Sequence, residues 1–298
     1  MRSQTSPGRR LALDSALPRV PRLVYKAALI SGLRLRNRFS RRGVRGTAGV
    51  AVSMTSYGRR LEIVAHALES IAAGSVLPSR MILWVDEPDF EAARYPMLQR
   101  LENRGLEIIR CEDLGPHKKY FPYCREFAGD GLSLALADDD VMYPHRWLEG
   151  LIKTGGQGEI PGYRAHRIAT DPATGGITRY TSWKAAAVGS ANHANFVTGV
   201  GGMLLPPRFQ TQLRDSGTSF LEVAPRADDI WLNALAISHG YRRRVVDAAG
   251  QHLTIYPRSQ EQGLHNENVS EGKNDTQLAA VFGPEHIAII TDDTTNRP

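Results

Sequence analysis

Leu132-Ser133-Leu134-Ala135-Leu136-Ala137-Asp138-Asp139-Asp140-Val141 is the stretch on which the reading of this chain turns. A nearly continuous apolar run of strand length ends in three consecutive carboxylates. Such a run suits a strand buried on both faces, as in a parallel sheet. Three adjacent carboxylates repel one another and cannot be buried unpaired. They belong at the carboxyl end of the strand, where the chain leaves the core.

Working outward, strand and helix signals alternate. Val50–Met54 is a short apolar run, followed by Leu61, Val64, Leu68 and Ile71 at helical spacing. Met81–Val85 reads as a second buried strand ending at Asp86. A polar helix is predicted over Glu91–Asn103, bent at Pro96, then a strand over Leu106–Ile109. A short helix over Lys119–Phe127 precedes the acidic strand, and one over His145–Lys153 follows it. The region from about 155 to 257 brings an apolar strand ending at Pro206-Pro207, a helix over Asp229–Ser238 and strands near Val245 and Leu253. The pattern predicts an α/β fold, with a mostly parallel sheet and helices on both faces, as a single domain. Ligands of such sheets bind beyond the carboxyl ends of the strands, where Asp86 and the acidic triplet fall.

On pleat alternation, Asp138 and Asp140 share a direction and Asp139 points the other way. Two hard oxygen ligands on one face suit Mg²⁺ or Mn²⁺, and a cation there is placed to bridge the phosphates of a nucleotide diphosphate. The plainer reading is an acidic turn at the start of the next helix. Ala227-Asp228-Asp229-Ile230-Trp231-Leu232 offers a carboxylate at a helix start as a general base, or else an N-cap. Lys118 and Lys119 follow a strand and suit phosphate neutralisation, or are exposed lysines. Gly201 and Gly202, in Gly199-Val200-Gly201-Gly202, permit close backbone approach to a ligand, or tight strand packing. Tyr180 and Trp183 suit stacking on a sugar ring, though aromatics more often fill cores.

Taken together, the Thr55-Ser56-Tyr57-Gly58-Arg59 loop, the Trp84-Val85-Asp86 strand end, the acidic triplet, the glycine segment and Ala-Asp-Asp-Ile-Trp-Leu resemble bacterial glycosyltransferases of the GT-A fold, close to the large family-2 type. The resemblance covers about residues 49–285. It implies a sugar nucleotide, UDP-linked by preference, as donor and a hydroxyl of a glycan or glycolipid as acceptor, with inversion, in polysaccharide biosynthesis. It places the nucleoside against Thr55, Ser56, Tyr57, Arg59 and Asp86, and the metal and diphosphate against Asp138, Asp139 and Asp140. It assigns the base to Asp228 or Asp229, with Asp229 ahead. It also implies His265 as a further metal ligand. Asp-Asp here replaces the commoner Glu-Asp. Asn274-Asp275 resembles a recurring C-terminal element of related sequences.

Composition bounds the alternatives. The chain has 298 residues, 42% hydrophobic, and a net charge of +6. Residues 1–45 hold 12 of the 37 Lys and Arg and one of the 31 acidic residues, which leaves 25 basic against 30 acidic residues from residue 46 on. The basic character therefore belongs to a tail, residues 1–45, ahead of a catalytic domain at 46–298, and specific nucleic-acid binding is not expected. Leu23–Phe39 is predicted to form a basic helix with an apolar stripe of Leu23, Ala27, Ile30 and Leu33, suited to peripheral contact with an anionic membrane. No secretory signal or spanning segment is read. Cys111 and Cys124 form no redox or metal motif, and a cytoplasmic protein, peripheral at the inner membrane face, is expected. Competing readings are a catalytically weak carbohydrate-binding protein of the same fold and a sugar-nucleotide pyrophosphorylase. The latter would want a Gly- and Arg-rich loop after the first strand, at which only Gly58-Arg59-Arg60 hints. A haloacid-dehalogenase-type phosphatase would carry its Asp-x-Asp after the first strand and Thr or Val where Met142 stands.

Overall fold

The structure, a computed structural model, describes residues 19–171, 173–247, 252–257 and 273–295. Its strands are β1 (Val50–Thr55), β2 (Arg80–Val85), β3 (Glu107–Arg110), β4 (Ser133–Leu136), β5 (Val141–Met142), β6 (Glu159–Gly162), β7 (Ala165–Arg167), β8 (Thr170–Asp171), β9 (Gly176–Ile177), β10 (Lys184–Ala185), β11 (Ala191–Asn192), β12 (Asn195–Val197), β13 (Met203–Leu205), β14 (Arg242–Val245) and β15 (Thr254–Ile255). The helices are α1 (Arg19–Phe39), α2 (Val64–Ala72), α3 (Pro96–Glu102), α4 (Phe121–Phe127), α5 (Trp147–Thr154), α6 (Pro207–Asp215), α7 (Phe220–Val223) and α8 (Asp228–Ser238), with two more at Lys273–Val281 and Pro284–Thr295.

Eight strands form one sheet in the order β11-β14-β6-β13-β4-β1-β2-β3. β1 pairs in parallel with β2 and β4, β2 with β3, and β6 with β14, while β13 runs against β4 and β6, and β11 against β14. The mostly parallel sheet expected from the apolar runs is therefore present. Strands from both halves of the chain share it. Pleat alternation gives the sheet a buried cluster on each face. Val52, Met54, Met81, Leu83 and Ala135 face α2, α3 and α5, and Ala51, Ile82, Trp84, Leu134 and Leu136 face α4, α6 and α8. A ribbon of β5 and β15, and a small sheet of β10, β7 and β12, lie outside the main sheet.

Two expectations need correction. Pro96 does not bend one helix: a 3-10 turn at Ala92–Arg94 ends before it, and Pro96 opens α3 at the first helical position, where its missing N–H costs nothing. The α1 stripe is also rotated from the expected one. Leu33 and Asn37 are buried, whereas Leu23 and Ala27 are exposed. The cause is Glu69, a fully buried carboxylate on α2. It meets Arg36 Nε at 3.0 Å, Arg104 Nη1 at 2.8 Å and Asn37 Nδ2 at 3.1 Å. A buried charge this costly must be paired, and the pairing sets which face of α1 turns inward.

Candidate active site

The acidic triplet sits where the sequence places it, at the carboxyl end of β4, but its geometry differs from simple alternation. β4 ends at Leu136, and the chain turns over Asp139-Asp140 before β5. The turn breaks the pleat, so Asp139 and Asp140, not Asp138 and Asp140, share a partner. Arg60 Nη1 lies 3.0 Å from Asp139 Oδ1 and Nη2 lies 2.6 Å from Asp140 Oδ2. Ser56 Oγ donates to Asp139 Oδ2 at 2.7 Å. Asp138 instead accepts from Lys119 Nζ at 2.6 Å. The backbone of the turn is pinned too. The Asp138 N–H donates to the Tyr143 hydroxyl at 2.6 Å, and the Tyr256 N–H to the Asp140 carbonyl at 2.7 Å.

Burial pushes the Asp139 carboxyl up to about 7, against the pull of Arg60. Burial likewise raises Asp138, with Lys119 opposing. Lys119 is held above the usual lysine range because Asp138 and Asp228 outweigh its own desolvation.

Lys119 joins the two acidic motifs. The ammonium that donates to Asp138 also lies 3.6 Å from Asp228 Oδ2. Residues 90 apart in sequence are thus brought to one cation. Asp228 and Asp229 do not cap α8: the N-cap is Ala227, with no side-chain capping bond. Both carboxylates lie in the first turn, where the helix dipole favours negative charge. Each is half-buried. Desolvation and then Asp228 push Asp229 up to about 7, with Lys119 and Arg164 opposing. Gly199 closes this corner. A Cβ there would stand 3.4 Å from Lys119 Nζ and 4.0 Å from Asp228 Oδ2.

The loop after β1 adds the remaining wall. Ser56 is buried against the acidic turn, and Tyr57 is exposed with its ring 5.6 Å from Lys118 Nζ. Thr55 Oγ1 donates back to the Trp84 carbonyl at 3.2 Å. Asp86, at the end of β2, pairs with Lys118, which also reaches Asp113 at 2.8 Å. Lys118 and Lys119 are therefore neither exposed nor alike: one serves Asp86, the other Asp138 and Asp228. Arg59 is exposed, and its neighbour Arg60, which the sequence reading passed over, reaches the acids. Adjacent arginines look equivalent in sequence; the 3-10 turn Gly58–Glu62 decides which points inward. Arg60→Ala is expected to lower stability by about 2–4 kcal/mol, because two buried carboxylates lose their cation. Arg59→Ala should stay within about 0.5 kcal/mol. Urea denaturation of the two variants without divalent ions checks this.

Gly201 and Gly202 pack the core; Gly199 is the glycine beside the acids. Gly202 has φ +92°, and a Cβ there would fall 2.7 Å from the Leu136 carbonyl and 2.8 Å from Trp147 Cζ2. Gly201 accepts from Trp147 Nε1 at 2.7 Å. The pair lets β13 lie flat against the end of β4 and so steadies the acidic turn. Gly202→Ala is expected to cost about 2–5 kcal/mol through strain and overpacking, read as a lower denaturation midpoint.

Trp183 is buried against Phe196, with its indole N–H on the Thr178 carbonyl at 3.2 Å, so it is a core residue. Tyr180 is half-buried, and burial and then Asp229 raise its hydroxyl above the usual tyrosine range. The Tyr180 N–H donates to Asp275 Oδ1 at 2.8 Å, giving the Asn274-Asp275 element a structural task. His265 lies outside the described residues.

Four carboxylates (Asp138, Asp139, Asp140 and Asp228) thus converge on Arg60 and Lys119, with Asp229 next to Asp228 in the first turn of α8. The negative excess, in hard oxygen donors, is the chemistry that Mg²⁺ or Mn²⁺ satisfies. Among the described residues, no group of three or more His, Cys, Asp or Glu is arranged to hold a metal alone. Further coordination would have to come from substrate phosphate and water, which is how Mg²⁺ is commonly bound.

No protein-family model matches the chain, and no curated protein matches it significantly. Solved structures do. S. aureus TarS 1–349 is 11% identical, with 83% of this chain and 71% of that one covered and a TM-score of 0.48. The inositol-1-phosphate CTP transferase from T. maritima is 12% identical, with 77% and 98% covered and a TM-score of 0.45. GalNAc-T7 with UDP, GalNAc and Mn²⁺ is 11% identical, with 87% and 57% covered and a TM-score of 0.43. These likenesses concern overall shape. The class of the molecule, a mixed α/β protein with an acidic cluster beyond the carboxyl end of β4, rests on its own topology and side chains.

Proposed function

We propose that this chain is a GT-A-type, family-2-like glycosyltransferase that moves a sugar from a nucleotide diphosphate, UDP by preference, to a hydroxyl of a glycan or glycolipid, with inversion. The observation that supports it most is Lys119 standing between Asp138 and Asp228. A diphosphate site and a base must lie within one sugar of each other for such a transfer, and one ammonium spans both acidic motifs here.

The roles follow from the charges. Asp86 and Ser56 line the side on which a nucleoside would sit, with Tyr57 as a ring to cover it. Asp138 and Asp140 would hold Mg²⁺ or Mn²⁺, which would supply positive charge to the departing diphosphate. Lys119 adds charge on the same side. Asp228 is engaged by Lys119, which makes it the weaker base. Asp229, raised by burial and by Asp228, is the better one. Its carboxylate takes the proton of the acceptor hydroxyl as that oxygen bonds to the anomeric carbon. The bond from that carbon to the diphosphate breaks, and the nucleoside diphosphate leaves with the electron pair.

Incubation of the full chain with a panel of UDP-, GDP-, CDP- and dTDP-sugars and Mn²⁺ tests the reading, with free nucleotide measured by chromatography. Release from at least one donor, lost in Asp229→Asn, is the expected result. No release from any donor, with or without added glycan, would contradict it.

A further inference from the structure

α1 carries a second apolar stripe, on the side facing away from the body. Val24, Ala28, Leu35 and Phe39, with the small polar Ser31 between Ala28 and Leu35, follow one another at spacings of three or four, which aligns them on one helix face. Val24 is 64% exposed, Leu35 58% and Phe39 71%, and Leu23 and Tyr25 beside them are 63% and 47% exposed. These five account for most of the exposed large hydrophobic residues among those described, so exposed apolar bulk concentrates on this helix. The opposite side is occupied: Leu33 and Asn37 are buried, Arg34 donates to His66 at 3.3 Å, and Arg36 donates to the Ala72 carbonyl at 2.8 Å. The outward stripe is therefore not a docking face in waiting for this domain.

Charge names the occupant. Residues 1–45 hold 12 Lys and Arg and a single acid, Asp14. Arg38 borders the stripe, and Arg41 and Arg42 follow the helix, all three exposed. The guanidinium of Arg38 lies 6.0 Å from the centre of the Phe39 ring. An apolar line edged by cations on a helix suits the boundary between headgroups and acyl chains of an anionic bilayer. A protein groove would need matched acids, and a second copy would set these cations against one another. No helix among the described residues is long and apolar enough to cross a membrane, so the contact is a surface one.

We propose that α1 lies on an anionic lipid surface through Val24, Leu35 and Phe39, with Arg38 and Arg41 at the headgroups. The placement has a consequence for the acidic site. Lys26 Nζ donates to the Ile255 carbonyl at 3.0 Å, and the next residue, Tyr256, donates its N–H to Asp140. A bilayer on α1 is thus tied, through β15, to the backbone of the acidic turn. The docking itself is independent of the transfer reading.

Co-sedimentation of the full chain with vesicles of phosphatidylcholine alone, or with about a third phosphatidylglycerol, tests the proposal. Binding to the anionic vesicles is expected to exceed that to neutral ones at least about tenfold and to weaken with salt. Val24→Ser, Leu35→Ser and Phe39→Ser combined should reduce it at least about tenfold, and Arg38→Glu with Arg41→Glu should remove the preference for anionic lipid. All five positions are exposed, and unchanged circular dichroism and melting confirm that the variants fold. Equal binding to both vesicles, undiminished binding by the triple variant, or a dimer that the triple variant dissolves in the absence of lipid binding would each overturn the proposal.

Discussion

Asp229→Asn is expected to lower turnover of the donor sugar by about 10²- to 10⁴-fold, the usual worth of a positioned general base. Nucleotide binding should change little, because the proposed diphosphate ligands lie in the turn after β4. Asp228→Asn should be milder in turnover, since Asp228 is already engaged by Lys119 at 3.6 Å. The pH profile gives an independent check. Burial and Asp228 raise Asp229 to about 7, and only the ionised form accepts a proton. Activity should therefore fall as pH drops through about 7, well above the usual carboxylate range. In Asp228→Asn the neighbouring charge is gone, so this acidic limb should move to lower pH. Steady-state kinetics of the three proteins from pH 5 to 9 read both effects.

The second large effect is expected at the acidic turn. Asp138→Ala or Asp140→Ala should cost about 10³-fold or more in turnover, of the order found when a charge-stabilising group is removed from a reaction centre. Asp139→Asn should be milder. Its carboxylate is engaged by Ser56 and Arg60, which marks it as a holder of the turn. Chelation of divalent ions should reproduce the loss in the unaltered chain, and Mn²⁺ should restore it there but not in Asp140→Ala. Turnover assays with and without chelator distinguish these outcomes.

The parts of this architecture that were legible in sequence are those written in contiguous residues. β1, β2 and β4 are nearly continuous apolar runs because both faces of each are covered, and their order along the chain implied a parallel sheet with its ligands at one end. The acidic motifs were visible because carboxylates at the ends of buried segments have few structural uses. What could not be read was set by turns and long-range pairing. The turn at Asp139-Asp140 changed which carboxylates share a partner. A 3-10 turn chose Arg60 over Arg59. Gly201 and Gly202 proved to be packing residues because Trp147 and Leu136 press on them, and neither is near in sequence. Glu69, unremarkable in its own helix, determined the inward face of α1 by collecting Arg36, Arg104 and Asn37. The helices α6, Lys273–Val281 and Pro284–Thr295 were not anticipated, and two of them lack a strong apolar period of their own. α6 acquires its partners from α4 and β4, and the last two helices acquire theirs from α8, with α7 and β9.

Titration calorimetry of UDP into the full chain, with and without Mn²⁺, set beside the same titrations of Asp140→Ala, tests the central claim most directly. The account predicts that Mn²⁺ strengthens UDP binding and that this gain is lost in the variant. UDP binding that is absent, or equal with and without Mn²⁺ and unchanged in Asp140→Ala, would contradict a diphosphate site at the end of β4.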